Sequence, residues 1–235
     1  MLSNTAKYLI IGDGQTARHM QFYFQSLNIN VLQWARAFGN PLEPLLQQAS
    51  HVLLLISDDA IESFIQQYPS LSKKQLVHFS GALVTSYAHS AHPLISFSQA
   101  LFDPSFYPSI PFFIEAEGPS LAELLPDLPN PHWSISRSQK ALYHSLAVLS
   151  GNFTTLLWQK LFKDLQEKFN IPKESAYPYL QSIAYNLQQD NNSALTGPLA
   201  RGDKATLALN LKALEGDDFA HVFQAFIDFY NKTKK

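Results

Sequence analysis

The chain contains no cysteine. That excludes disulfides, a thiol nucleophile and cysteine-ligated zinc. No basic block stands out: 17 Lys and Arg against 19 Asp and Glu leave a formal net charge of −2. Binding a phosphate backbone needs clustered cations, so no nucleic acid is expected as partner. Long apolar runs are missing too. The strongest, Val52–Ile56, is far shorter than the roughly 20 residues that span a bilayer. The start of the chain shows no basic stretch leading into an apolar one of signal-peptide length, and neither repeats nor low-complexity tracts occur. The expectation is a soluble, cytoplasmic protein with no membrane partner.

What is present is 235 residues, 46% of them hydrophobic, enough for one large domain or two modest ones. The first half alternates between two periodicities. Strand-like runs occur at 7–11, 30–35, 51–57 and 75–80, and helix-like runs at 15–27, 41–49 (with Pro41 in its first turn) and 58–68. The run at 51–57 is continuously apolar, as in strands buried on both faces. Such alternation implies a mostly parallel sheet covered on both sides. More than half of the 14 prolines lie between Pro93 and Pro131, where the pattern loosens, although 109–125 still reads as strand, turn and helix. "HWSIS" (132–136) can form an edge strand.

From Ser138 onward apolar residues recur at 142, 146, 149, 153, 157, 161, 165 and 169, a helical spacing sustained over about eight turns. Further helices are expected at 173–189, 205–214 and from Phe219 to Tyr230, the last with Asp217 as N-cap. The chain therefore divides into an α/β domain, 1–132, and an all-helical domain, 133–235.

At the start of the first half stands "YLIIGDGQTARHM", Tyr8 to Met20. Gly12 and Gly14 follow a strand and open a helix, the context that gives G-x-G-x-x-[GA] its meaning. Gly12 permits the tight turn, Gly14 a close approach of pyrophosphate, and Ala17 close packing of helix on strand. The backbone N–H groups at Gln15 and Thr16 would face the anion. The alternative is a plain strand–helix turn. After the second strand, where an acid would meet a free ribose 2′-hydroxyl, the sequence has "QWARA". Arg36 suits a 2′-phosphate instead, which points to NADP(H); the alternative is a solvated surface arginine. In "ISDDAIE", Ser57 is expected to contact the cofactor through its backbone, while Asp59 and Glu62 fit helix capping.

"GDGQTA", "VHFSGAL", "AHPLISF", "KALYHSLAVLSGNF" and "TGPLARGD" occur in this order. Together they resemble an uncharacterised bacterial family with a Rossmann-like N-terminal half and a helical C-terminal half. That family is similar to pyrroline-5-carboxylate reductase, ketopantoate reductase and the 6-phosphogluconate and β-hydroxyacid dehydrogenases. The resemblance covers nearly the whole chain. It implies a Rossmann-like α/β domain, an all-α domain of the 6-phosphogluconate dehydrogenase C-terminal type, NADP-dependent oxidoreductase chemistry and a helical domain that mediates a homodimer. It does not supply a substrate.

In β-hydroxyacid dehydrogenases a lysine and, four residues later, an asparagine face the substrate. The similar spacing here is Lys140 and His144, on one helix face and both able to donate a proton. His144 departs from the asparagine pattern; the alternative is a surface lysine beside a histidine bound to a neighbouring carbonyl. Ser80 completes the catalytic candidates, at the carboxyl end of its strand. Substrate-binding candidates are His78, Gly81, His92, Asn152, Thr196 and Arg201. A regular helix turns Asn152 about 80° away from His144, and "TGPLARGD" reads as a loop between helices with Asp203 capping the next one. No metal is assigned, because His78, His89 and His92 lack further ligands at a convincing spacing. The leading reading is a reductase or dehydrogenase acting on a small carbonyl, hydroxyacid or imine. The rivals are an NADP-binding sensor or partner-binding protein without hydride chemistry, and a nucleoside-cofactor transferase.

Overall fold

The computed structural model describes residues 7–233. They form two compact units that divide between Leu157 and Trp158. The first unit holds β1 (Tyr8–Ile11), α1 (Gln15–Ser26), β2 (Val31–Trp34), α2 (Glu43–Gln48), β3 (His51–Leu54), α3 (Asp58–Gln67), β4 (Gln75–His78), β5 (His89–Pro93), β6 (Phe112–Glu115), α4 (Leu121–Leu124), β7 (His132–Ile135) and α5 (Lys140–Ala147). The strands make one sheet of order β2-β1-β3-β4-β5-β6-β7. β1 to β5 are parallel, β6 runs antiparallel to β5, and β7 is parallel to β6.

Alternation within the strands builds two cores. Tyr8, Ile10, Leu53 and Val77 point to one face, where Ala17, Met20 and Phe24 of α1 and Leu121 and Leu124 of α4 cover them. Leu9, Ile11, Val52, Leu54 and Leu76 point to the other, beneath Leu46 of α2 and Ile61 and Phe64 of α3. Each fully buried Val, Leu, Ile, Phe or Met among them stabilises the fold by about 1.5–3 kcal/mol relative to exposure. Strand order reverses at β1, because α1 leads to β2 on one side and β3 lies on the other. A ligand crevice is expected at that reversal, outside the carboxyl ends of the strands.

Several local expectations change. α2 carries Pro44, not Pro41, in its first turn. β5 was not legible as a strand: "HSAHP" is polar, but Ser90 and Ala91 are buried and Pro93 ends the strand. The proline-rich segment is tied down by polar contacts. Asn130 accepts from Tyr23 Oη at 2.7 Å and donates to the carbonyls of Tyr107 and Ile110. The unit boundary lies downstream of residue 132, because β7 completes the sheet and α5 docks on it. Tyr143 packs on Phe113, with ring centroids 4.7 Å apart.

The expected long helix is interrupted. A π-helical turn, Val148–Phe153, separates α5 from α6 (Thr154–Phe169). Leu142, Leu146, Leu149 and Phe153 of its apolar stripe are exposed.

The second unit continues α6 and adds α7 (Tyr177–Gln189), α8 (Gly197–Arg201), α9 (Lys204–Ala213) and α10 (Phe219–Thr233). "TGPLARGD" is thus not simply a loop: it contains α8, closed by Gly202 at φ +68°, and Asp203 caps α9 by accepting from Thr206 N–H at 3.1 Å. Asp217 accepts from Phe219 N–H at 3.0 Å at the start of α10 and also binds Lys160. Among the described residues of this unit only Ala176 is buried. Tyr185, Leu209, Phe226 and Phe229 remain largely exposed.

Candidate functional site

A groove of about 750 Å³ lies at the carboxyl ends of β1, β2 and β3, between Gly12–Thr16, Trp34–Ala37 and Leu55–Ser57. The two glycines of its first turn have different reasons. Gly12 has φ +130°, and a Cβ there would sit 2.3 Å from the Leu55 carbonyl oxygen, so the packing of β1 against β3 requires glycine. The turn is held by Gly12 N–H donating to the Trp34 carbonyl and by Gln33 Nε2 donating to the Gly12 carbonyl, both at 2.8 Å. Gly14 has ordinary backbone angles, and a Cβ there would meet nothing within 4 Å. No protein contact explains this glycine; its missing side chain leaves open space at the start of α1.

No side chain caps α1 and no acid lies in its first turn, among the described residues. The N–H groups of Gln15, Thr16 and Ala17 therefore present partial positive charge to the groove. Ala17 is fully buried against the sheet, while Gln15 and Thr16 line the groove. Arg36 is exposed on the groove's rim, with no carboxylate paired to it among the described residues. Ser57 lines the opposite wall. The residues present fit a dinucleotide with an additional phosphate. A gap at Gly14 for pyrophosphate, unpaired N–H donors and a free guanidinium form one anion-binding surface.

Thr16, Leu55 and Ile56 also border a second cavity of about 200 Å³, which Asp58, Ser80 and His92 line. Ser80 shapes this corner. Its Oγ donates to Asp58 Oδ2 at 2.5 Å and accepts from the N–H groups of Ala82 and Leu83. Asp59 and Glu62 lie within α3, whose start has no side-chain cap, so they do not cap it as expected; Asp58, its first residue, instead fixes the Ser80 loop.

His92 and Ile95 border a third cavity as well, of about 550 Å³, floored by the π-helical turn. His92 Nδ1 lies 2.8 Å from Tyr143 Oη. Burial pushes Tyr143 up to about 12. Burial, then the neighbouring charges of His144 and Lys140, push His92 down to about 4, so its imidazole is neutral at neutral pH. His144 faces the same cavity, with its ring centroid 6.0 Å from that of His92. A Cβ on Gly81 would fall 2.6 Å from His144 Cδ2 and 3.1 Å from His92 Nε2, so Gly81 lets both rings close on the Ser80 loop.

Lys140 behaves differently from its helical neighbour. Its Nζ lies 2.9 Å from Glu115 Oε1, both side chains being 2% exposed. Arg137 Nε binds the other Glu115 oxygen at 2.9 Å. Burial tends to raise Glu115, but hydrogen bonds and charge from Lys140 and then Arg137 outweigh it and hold the carboxyl below its usual range. Lys140 lines none of the three cavities. His78 is also fully buried, accepting from Ser80 N–H through Nδ1 at 3.2 Å. Burial and then the charge of Lys140 push it down to about 4.

The structure thus brings Ser80, Gly81, His92 and His144 together. It sets Lys140 and His78 behind them, and Thr196 and Arg201 belong to the second unit. Asn152 lines the third cavity beside His144. The wide π turn advances less per residue than a regular helix and so changes the 80° offset expected of one. Tyr143 was missed as a site residue; it stood beside His144, but only the fold reveals its bond to His92.

A family model described as a domain of unknown function, DUF2520, matches residues 110–228, just over half of the chain. No curated protein matches the sequence. Among solved structures, a candidate NADP oxidoreductase of Bacteroides fragilis is similar at 20% identity, with 97% of this chain and 98% of that one covered and a TM-score of 0.78. An imine reductase of Streptomyces aurantiacus is similar at 15% identity, covering 96% and 93%, with a TM-score of 0.65. A pyrroline carboxylate reductase of Plasmodium falciparum, with NADP bound, is similar at 14% identity, covering 97% of each chain, with a TM-score of 0.58. Likeness at such identities shows the fold, a Rossmann-like sheet with a helical C-terminal part.

Proposed function

The chain belongs to the DUF2520 family, and from that premise we propose that it is a cytoplasmic NADP(H)-dependent reductase or dehydrogenase of a small carbonyl, hydroxyacid or imine compound. The observation that carries this reading is Gly14, a glycine without a packing reason at the uncapped start of α1. The neighbours named as NADP oxidoreductase, imine reductase and pyrroline carboxylate reductase support it through the shared fold.

In this reading Gly12 shapes the turn, and the N–H groups of Gln15, Thr16 and Ala17 hold pyrophosphate. Arg36 holds the 2′-phosphate, and Ser57 lies against the cofactor. When bound, NADPH supplies hydride. The chain's own residues then orient the substrate and donate to the oxygen or nitrogen that gains charge. His144 is the candidate donor facing a cavity, because the Ser80 hydroxyl already donates to Asp58; Gly81, His92 and Asn152 lie beside it. No metal takes part. The exposed apolar side chains of the second unit, among them Phe226 and Phe229, support a homodimer with two-fold symmetry.

One observation favours a second reading, an NADP-binding sensor without turnover: the ammonium of Lys140, a candidate proton donor, is committed to Glu115. A screen of carbonyl and imine compounds with NADPH separates the two. Turnover that falls about 100-fold in His144→Ala supports the reductase; NADPH binding with no turnover across the panel supports the sensor.

A further inference from the structure

The third cavity is lined in part by a widened turn of helix. At Val148–Phe153 the backbone adopts a π-helical turn. Such turns are rare and concentrate at functional sites. Two hydroxyls bind carbonyls at it: Ser150 Oγ, in the turn, donates to Leu146 O before it at 2.8 Å, and Thr155 Oγ1, after it, donates to Gly151 O within it at 2.9 Å. Gly151 stands in the middle of the turn, and a Cβ there would meet nothing within 4 Å. The space beside it, about 550 Å³, lies within the range of small-molecule sites. It shares His92 and Ile95 with the second cavity, which shares Thr16, Leu55 and Ile56 with the groove.

Its walls mix two kinds of surface. Ile95, Leu146 and Val148 give apolar surface. Tyr143, His144, Asn152 and the neutral His92 give hydrogen-bonding groups. No lysine or arginine lines it, among the described residues. A carboxylate brought here would find no lysine or arginine to pair with. A ketone or imine needs no such partner and could accept one hydrogen bond.

We infer that the π-turn cavity is the substrate subsite and that it selects uncharged, largely apolar carbonyl or imine compounds over ketoacids of the same shape. The inference rests on the reductase reading and narrows it.

Direct binding to the full chain tests it without requiring turnover. The probes are 4-methylcyclohexanone and 4-oxocyclohexanecarboxylate, which differ by a methyl for a carboxylate. Binding is measured by ligand-observed NMR in the presence of saturating NADP⁺. The uncharged ketone is expected to bind at least 10-fold more tightly. Gly151→Leu, whose side chain would enter the cavity, is expected to weaken it at least 10-fold while leaving Tm and NADPH affinity unchanged. If Gly151→Leu lowers Tm, Val148→Phe on the same wall serves in its place. Equal or tighter binding of the carboxylate, no ketone binding, or ketone binding indifferent to both variants overturns the inference. NADPH titration of the native protein, run alongside, reports separately on the reductase reading: its loss removes that reading whatever the ketone does.

Discussion

The hydroxyl of Tyr143 sits 2.8 Å from Nδ1 of His92, joining the first turn of α5 to the end of β5 in the wall of the third cavity. Burial keeps the phenol protonated; the expected arrangement has Tyr143 donating to Nδ1 and the imidazole proton on Nε2. Nitrogen-detected NMR should find His92 as the neutral Nε2–H tautomer at pH 7. Tyr143→Phe should release the tautomer to a mixture. A native His92 protonated at Nδ1 would reverse the direction of this hydrogen bond.

Acid should weaken the fold through His78 and His92. Both have folded values near 4, lowered first by burial, against an ordinary value of 6.5. Between those limits the unfolded chain binds more protons than the native one, so stability falls as pH drops from 6.5 toward 4. For His78, which is fully buried, the loss is about 3 kcal/mol. Urea midpoints at pH 7, 5.5 and 4.5 should fall in step, and less steeply in His78→Asn. A constant midpoint across this range would contradict the prediction.

The two glycines of the first turn should respond oppositely. Gly12→Ala forces a Cβ to 2.3 Å from Leu55 O at a φ of +130° and should cost at least about 2 kcal/mol of stability. Gly14→Ala should keep the native Tm, because its Cβ enters open space, yet weaken NADPH about 10-fold or more. Thermal unfolding and cofactor titration of the pair check this. A Gly14→Ala variant that binds NADPH as the native protein does would remove the argument for that glycine.

Lys140→Met should act on stability first. Breaking one side of a buried ion pair costs roughly 3–5 kcal/mol, although Arg137 retains hold of Glu115. Urea unfolding should show the loss, and any fall in turnover should follow the folded fraction. A variant as stable as the native protein but 100-fold slower would return Lys140 to the chemistry.

Much of the α/β frame was legible because its strands are short apolar runs bounded by breakers. "VLLLI" can hardly be anything but a buried strand, and Gly12–Gly14 marks the end of β1. β5 was not, because its buried positions are Ser90 and Ala91, small residues that carry no periodic signal. The π turn was hidden because apolar residues recur at helical spacing on both sides of it. Spacing set Lys140 and His144 one turn apart on α5, but it could not reveal that Glu115, 25 residues upstream, holds the lysine. Nor could it show that Gly81 makes room for His92 and His144. Those relationships arise from the sheet order, which brings β6 and β5 under α5.

The most direct test of the central claim is cofactor titration of the native protein, followed through quenching of Trp34, which lines the groove. The account predicts saturable NADPH binding at least about 10-fold tighter than NADH, as a charge-assisted hydrogen bond of about 1.5–3 kcal/mol implies. It also predicts that Arg36→Ala erases most of that preference. Absence of NADPH binding, or equal binding of both cofactors by the native protein, would contradict it.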